Sequence, residues 1–192
     1  MDINKLINRA KNLIVSPAAE WEIISSENEN QNNIIKDYAA PLIILAALTG
    51  IIGNFLAPRF FTPGMGYVIT TAIFAIIIPL ASIFISSYII DALAPSFGTE
   101  KNIKGAFTLV IYASTPAYIA SIVGNLHWTL SILSLFGLYS IYLFWVGISP
   151  IMKTPEDKKT GYVVVSFIIL IAVYLLLGLI ISSVLLGSIF MH

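Results

Sequence analysis

YVITTAIFAIIIPLASIFISSYII, residues 67 to 90, contains no charged side chain. A hydrocarbon core of about 30 Å takes roughly 20 helical residues to cross. This stretch is therefore long enough to span a bilayer and apolar enough to remain there. Four other windows meet the same test: Tyr38 to Ala57, which stops at Pro58-Arg59; Gly105 to Gly124; Leu126 to Met152; and Gly161 to near the C-terminus. The last, at about 30 residues, exceeds what a bilayer needs and should tilt or leave a tail outside. A Lys, Arg or Asp at the centre of such a helix costs about 2.5–3.5 kcal/mol, and the windows exclude them accordingly. The fold class that follows is all-α: a polytopic membrane helical bundle of five transmembrane helices. An N-terminal amphipathic interfacial helix precedes them, so that residues 1–37 form a cytoplasmic region and residues 38–192 the five-span domain.

Composition leads to the same class. Of the 192 residues, 58% are hydrophobic and 10% charged, against about 45–50% and 25% in soluble domains. Too little charge remains to cover a water-facing surface, so lipid must act as solvent. The net charge of zero offers no basic field for nucleic acid. With no cysteine, thiolate chemistry and disulfides are excluded. The two histidines, His127 and His192, are too far apart to form a recognisable metal site. No secretory signal is read, because the first long apolar run begins only near Ala39.

The cations set the threading. With the N-terminus inside, cytoplasmic segments hold Lys5, Arg9, Lys11, Lys36, Lys101, Lys104, Lys153, Lys158 and Lys159, while the opposite side holds Arg59 alone. Such asymmetry is the positive-inside signature, and five spans then put the C-terminus outside. Only Gly124-Asn125 separates the third and fourth spans, which should form a tight antiparallel hairpin. Tyr38, Phe60, Phe61, Tyr67, Trp128 and Tyr162 fall near span ends and are expected at the interfaces.

Ahead of the spans, Ile3, Leu6, Ile7, Ala10, Leu13 and Ile14 recur at helical spacing, with Lys5, Asn8, Arg9, Lys11 and Asn12 on the remaining surface. This pattern predicts a helix whose apolar face lies on the anionic inner leaflet. Ser16-Pro17 then reads as an N-cap followed by proline at the first position of a second short helix, which carries Ala18, Trp21 and Ile24 among acids Glu20, Glu22 and Glu27.

Within the spans the polar residues cluster. Tyr112, Ser114, Thr115 and Pro116 lie in the third, and Pro79, Ser82 and Ser86 in the second. A membrane proline frees a carbonyl that nearby hydroxyls can satisfy. The cluster reads either as a packing kink or as a hinge and polar pocket wall between the second and third spans. Asp91 is expected at the interface, near Lys101 or Lys104. Asn54 reads equally as a cross-helix bond or a cap of its own helix. Small-residue stripes at Ala46, Gly50 and Gly53, and at Gly178, Ser182, Ser183 and Gly187, permit close helix approach. They serve packing within the chain or homo-oligomerisation. HExxH, Gly-x-Ser-x-Gly and phosphate-binding glycine loops do not occur. No catalytic, cofactor-binding or metal site is expected, and the nucleophile inventory argues against an enzyme.

Further motifs carry a resemblance. Ala106-Phe107, Tyr112 to Pro116, Leu138 to Leu143, Gly147 to Pro150, Met152 to Pro155 and Gly161-Tyr162, preceded by Ser16-Pro17, Trp21, Tyr38 and Pro41-Leu42, resemble the bacterial branch of the Yip-domain family, named for Ypt-interacting proteins. The resemblance covers nearly the whole chain. It implies five spans and a cytoplasmic N-terminus, and lends no catalytic residues. Eukaryotic relatives bind small prenylated GTPases and take part in vesicle traffic. The expected function is a non-enzymatic scaffold or adaptor in a bacterial inner membrane, in contact with the lipid bilayer and with other membrane proteins. A small permease or channel subunit, with its pathway along the polar cluster, is the alternative.

Overall fold

The computed structural model describes residues 2–27, 29–56 and 65–190, the side chains of residues 128, 177 and 180–190 excepted. Two short helices, α1 (Ile3–Val15) and α2 (Pro17–Ser26), precede the spans. The first span begins with α3 (Gln31–Ile34) and passes through a π-helical turn, Ile35–Ala39, into α4 (Ala40–Leu56). It therefore starts seven residues earlier than the apolar window and carries Lys36 and Asp37 inside its helix. The second is α5 (Met65–Leu93), continued by a 3₁₀ turn to Phe97. The third is bent into α6 (Ile103–Ala113) and α7 (Thr115–Gly124). The fourth opens with a 3₁₀ run, Trp128–Leu138, before α8 (Tyr139–Met152), and the fifth is α9 (Glu156–Phe190). Five helices are thus long and apolar enough to cross a membrane.

Exposure locates the lipid. Ile69, Ile73, Ile77, Phe84 and Tyr88 of α5 stand out of the bundle, as do Ile168, Ile171 and Leu175 of α9. In water such stripes would aggregate, whereas in hydrocarbon they are solvated. The third span is different. Its most apolar window is 61% buried, against 17–33% for the others, so it forms the axis around which they pack.

The bend in that axis has a local cause. Pro116 has no N–H for the Tyr112 carbonyl four residues back. The Thr115 hydroxyl donates to that carbonyl instead, at 2.6 Å. Ser114 bonds the Val110 carbonyl in the same manner, at 2.8 Å.

Elsewhere small residues allow backbones to meet. The Asn125 side chain donates to the Ala46 carbonyl at 3.2 Å. A side chain at Gly53 would overlap the Asn125 carbonyl. The Ala46–Gly50–Gly53 stripe therefore seats the turn between the third and fourth spans, which pack as the expected hairpin. Of the second stripe, Gly178 has open space around it, and the side chains of 182, 183 and 187 lie outside the described residues.

Two interfacial assignments are overturned. Tyr38 and Tyr162 are core residues, 5% and 0% exposed. The Tyr162 hydroxyl donates to the Ile90 carbonyl, and its ring stacks on Phe97 at 4.9 Å. Phenols bury readily when a partner exists for the hydroxyl, and both have one. Phe60, Phe61, Arg59, His192 and the side chain of Trp128 lie outside the described residues.

Candidate functional site

Both short helices dock into the bundle between the third and fourth spans. Asp2 caps α1 by accepting from the amides of Asn4 and Lys5. Ser16 and Pro17 begin α2 where expected, although the Ser16 hydroxyl makes no capping bond. The apolar face of α1 divides. Ala10 and Leu13 are buried and Leu6 and Ile14 half-buried, while Ile3 and Ile7 remain exposed. The indole of Trp21 is fully buried over Gly147, where any side chain would collide with it, and meets Tyr112 edge-on at 6.4 Å. Tyr139 donates to the Ile14 carbonyl at 3.1 Å and fixes the end of α1.

Charge completes the docking. Arg9, 6% exposed, donates through Nη1 to Glu20 at 2.6 Å and through Nη2 to both oxygens of Glu27 at 2.6 Å. Its guanidinium carbon stands 5.6 Å from the centre of the Tyr112 ring, a cation–π distance. Burial pulls the Arg9 pKa down, but the Glu27 bond and the surrounding negative charge outweigh it, so the group is held more firmly charged than usual. Lys5 pairs with Glu29, and the Tyr112 hydroxyl approaches Glu29 at 3.4 Å. Tyr38 lies edge-on to Tyr112 at 4.7 Å, its hydroxyl 2.7 Å from that of Thr115. The single proton of Thr115 is committed to the Tyr112 carbonyl, so Tyr38 is the donor. Tyr112 sits nine residues into its span, roughly 14 Å along the axis. A polar cluster thus reaches well into the bundle from the N-terminal side. Two clefts of about 240 and 190 Å³ flank it, and both are lined by Glu29, Ile34 and Tyr112.

The predicted intramembrane cluster separates into two groups. Tyr112 and Thr115 face the charged network. Pro79, Ser86 and Ser114 line a different cavity, of about 470 Å³, on the other side of the third span. Pro116 is fully buried at the bend, and Ser82 is buried with its hydroxyl unbonded. Asp91 lies in the last turn of α5, with Oδ1 buried and taking no hydrogen bond. Asn54 caps its own helix by donating to the Gly50 carbonyl at 3.0 Å. His127 caps the 3₁₀ run through Thr129. Among the described residues no group of His, Cys, Asp or Glu is arranged to hold a metal ion.

Sequence reasoning missed Arg9, Glu20, Glu27 and Glu29 as a site. Each looked like a solvated face residue of its own short helix or linker. The available signal was that α1 is basic and α2 acidic, so that folding one onto the other pairs them.

A search of curated proteins and a search of solved structures each returned no match. A scan against family models matches the Yip1 domain over residues 11–180, from within α1 to within α9. Covering most of the chain and all five spans, that match identifies the protein as a member of the Yip1-domain family.

Proposed function

We propose that this protein is a non-enzymatic membrane scaffold or adaptor. It is threaded with α1 and α2 in the cytoplasm of a bacterial cell, and it engages other membrane proteins or lipid through those helices. One observation carries the reading. The docked helices hold exposed Ile3, Ile7, Val15 and Ile23 beside Lys5 and Lys11, while their other side is keyed into the bundle. An apolar, basic surface held at fixed height beside the spans suits a membrane-bound partner or an anionic leaflet. The nine-to-one cation count supports the threading.

The test is crosslinking in native membranes followed by affinity purification. The intact chain is compared with one lacking residues 1–15 and with an Ile3→Ser/Ile7→Ser variant, which leaves the buried contacts alone. Loss of co-purifying protein in both altered chains is expected, and unchanged recovery in both would sink the reading. A tag after His192 should react with impermeant reagent in intact cells.

The cavity lined by Pro79, Ser86 and Ser114 favours a second reading, a permease or channel subunit. Flux through reconstituted vesicles, abolished by alanine at Ser114 and Pro116, would establish it. Folded protein that passes no solute would count against it.

A further inference from the structure

Three contacts with the fourth span fix how far α1 and α2 reach along the bundle. Near the end of α2, Ile24 and Glu27 share a cleft with Pro150, Ile151 and Lys153. Trp21 lies over Gly147. The Ile14 carbonyl, at the far end of α1, takes the Tyr139 hydroxyl. Tyr139 and Met152 are the two ends of α8, roughly 20 Å apart. The third span agrees. Asp2 and Lys5 line a cleft with Asn33 and Asp37 of the first span, and Arg9 lies over Tyr112. The helix also packs on α7, which begins roughly 18 Å from the Ile103 end of the third span. A hydrocarbon core is about 30 Å thick. The turn joining α1 to α2 is therefore level with the middle of the third and fourth spans, not with the ends that carry Lys104 and Lys153.

The chain at that level suits hydrocarbon. Leu13 to Ala19, LIVSPAA, carries no charge. Val15, Ala18 and Ala19 are exposed. The Ser16 N–H donates to the Asn12 carbonyl at 2.8 Å, and the Ser16 carbonyl accepts from the Glu20 N–H at 3.1 Å. Pro17 has no N–H to satisfy. The turn thus leaves little bare backbone, as an apolar solvent demands. Nearer the base, Arg9 and Glu20 are buried and paired with each other, the condition under which ionisable groups are tolerated at membrane depth. Roughly 21 Å from Asp91, α5 presents exposed Ile77, so acyl chains already wrap the bundle at this level.

We propose that α1 and α2 are a re-entrant hairpin, whose tip at residues 13–19 stands among the acyl chains of the inner leaflet. Those chains cover Val15, Ala18 and Ala19, while Asp2 and Glu27 stay at the cytoplasmic surface. Lys11 and Glu22, exposed on the flank of the hairpin, direct their charged heads back toward water, and the headgroups descend beside them. The choice of leaflet rests on the threading proposed above. The depth rests on the contacts alone and holds for either threading.

The native chain has no cysteine, so a nitroxide can be placed at one position at a time through Asn4→Cys, Val15→Cys, Ala19→Cys or Ile77→Cys. All four positions are exposed, and the substitutions leave the buried contacts alone. Each full-length chain is reconstituted in phosphatidylethanolamine–phosphatidylglycerol vesicles with a water-soluble nickel chelate on both sides. Electron paramagnetic resonance then reads the ratio of collisions with oxygen, which concentrates in hydrocarbon, to collisions with the chelate. At Val15→Cys and Ala19→Cys the ratio should exceed that at Asn4→Cys several-fold and approach that at Ile77→Cys. A ratio at either tip position closer to Asn4→Cys than to Ile77→Cys overturns the hairpin and leaves the threading intact. In intact cells an impermeant maleimide should spare Asn4→Cys until the cells are opened. Modification from outside would overturn the inner-leaflet assignment together with the threading, whatever the depth.

Discussion

The two sides of the third span differ in what packs against them. Toward α1 and α2, Arg9, Glu20, Glu27, Tyr38 and Thr115 are joined by bonds of 2.6–2.7 Å. Toward α5 and α9, the side chains of Pro79, Ser86, Ser114 and Ser140 line a cavity of about 470 Å³. A closed polar cluster in a low-dielectric setting fixes geometry, because every alternative arrangement leaves a group unsatisfied. The same bent helix thus clamps a piece of its own chain on one side and lines a cavity on the other.

The strongest way to break this comparison is Arg9→Ala. It strands Glu20, 5% exposed, without its cation, at a cost of about 3–5 kcal/mol. Hydrogen exchange of the α1 and α2 amides should then lose protection while the spans keep theirs. Arg9→Met combined with Glu20→Leu should recover most of it, since replacing a buried pair by apolar groups is often neutral. Full protection in the single variant would mean that the clamp is hydrophobic alone. Next in size is Gly147→Leu, which pushes against the Trp21 ring. It should lower stability by about 1–3 kcal/mol, read as a shift in thermal unfolding in detergent.

Tyr38→Phe removes a donor to Thr115 but leaves Thr115 bonded to the Tyr112 carbonyl. The expected loss is about 0.5–1.5 kcal/mol, measured in the same way. The smallest effect belongs to Lys5, whose side chain is 58% exposed. Lys5→Met should cost under about 1 kcal/mol. The Glu29 bond raises the Lys5 amine above its ordinary value of 10.5, burial opposing it. A raised cationic pKa means that the contribution is complete below pH 10.5 and disappears as pH climbs through the elevated value. Protection of α1 should therefore show no Lys5-dependent change through neutral pH. A change there would remove Lys5 from the network.

How much of this was legible varies by residue. Tyr112, Ser114, Thr115 and Pro116 stood out because a proline in a span forces a carbonyl to find another donor. Helical spacing puts Tyr112 and Thr115 on one face and Ser114 on the opposite one. Which face meets the network and which the cavity was not legible. The periodic face of α1 was read correctly as apolar, yet Leu6, Ala10 and Leu13 pack on protein while Ile3 and Ile7 do not. Periodicity says that a face is hidden from water and is silent on whether lipid or protein hides it. Tyr38 and Tyr162 illustrate the same limit, since an aromatic near a span end satisfies the interface rule and the core equally well.

The chain's own pattern was enough to establish five helices, their approximate limits and the asymmetry of their flanking cations. The cost of placing charge or bare backbone in hydrocarbon is local and large, so each segment declares itself independently. Only tertiary structure decided that α1 and α2 enter the bundle, that Arg9 meets Glu20 and Glu27, and that one span separates a charged network from a cavity. Those outcomes depend on which side chains from distant segments can satisfy one another, and no residue's neighbours in sequence contain that information.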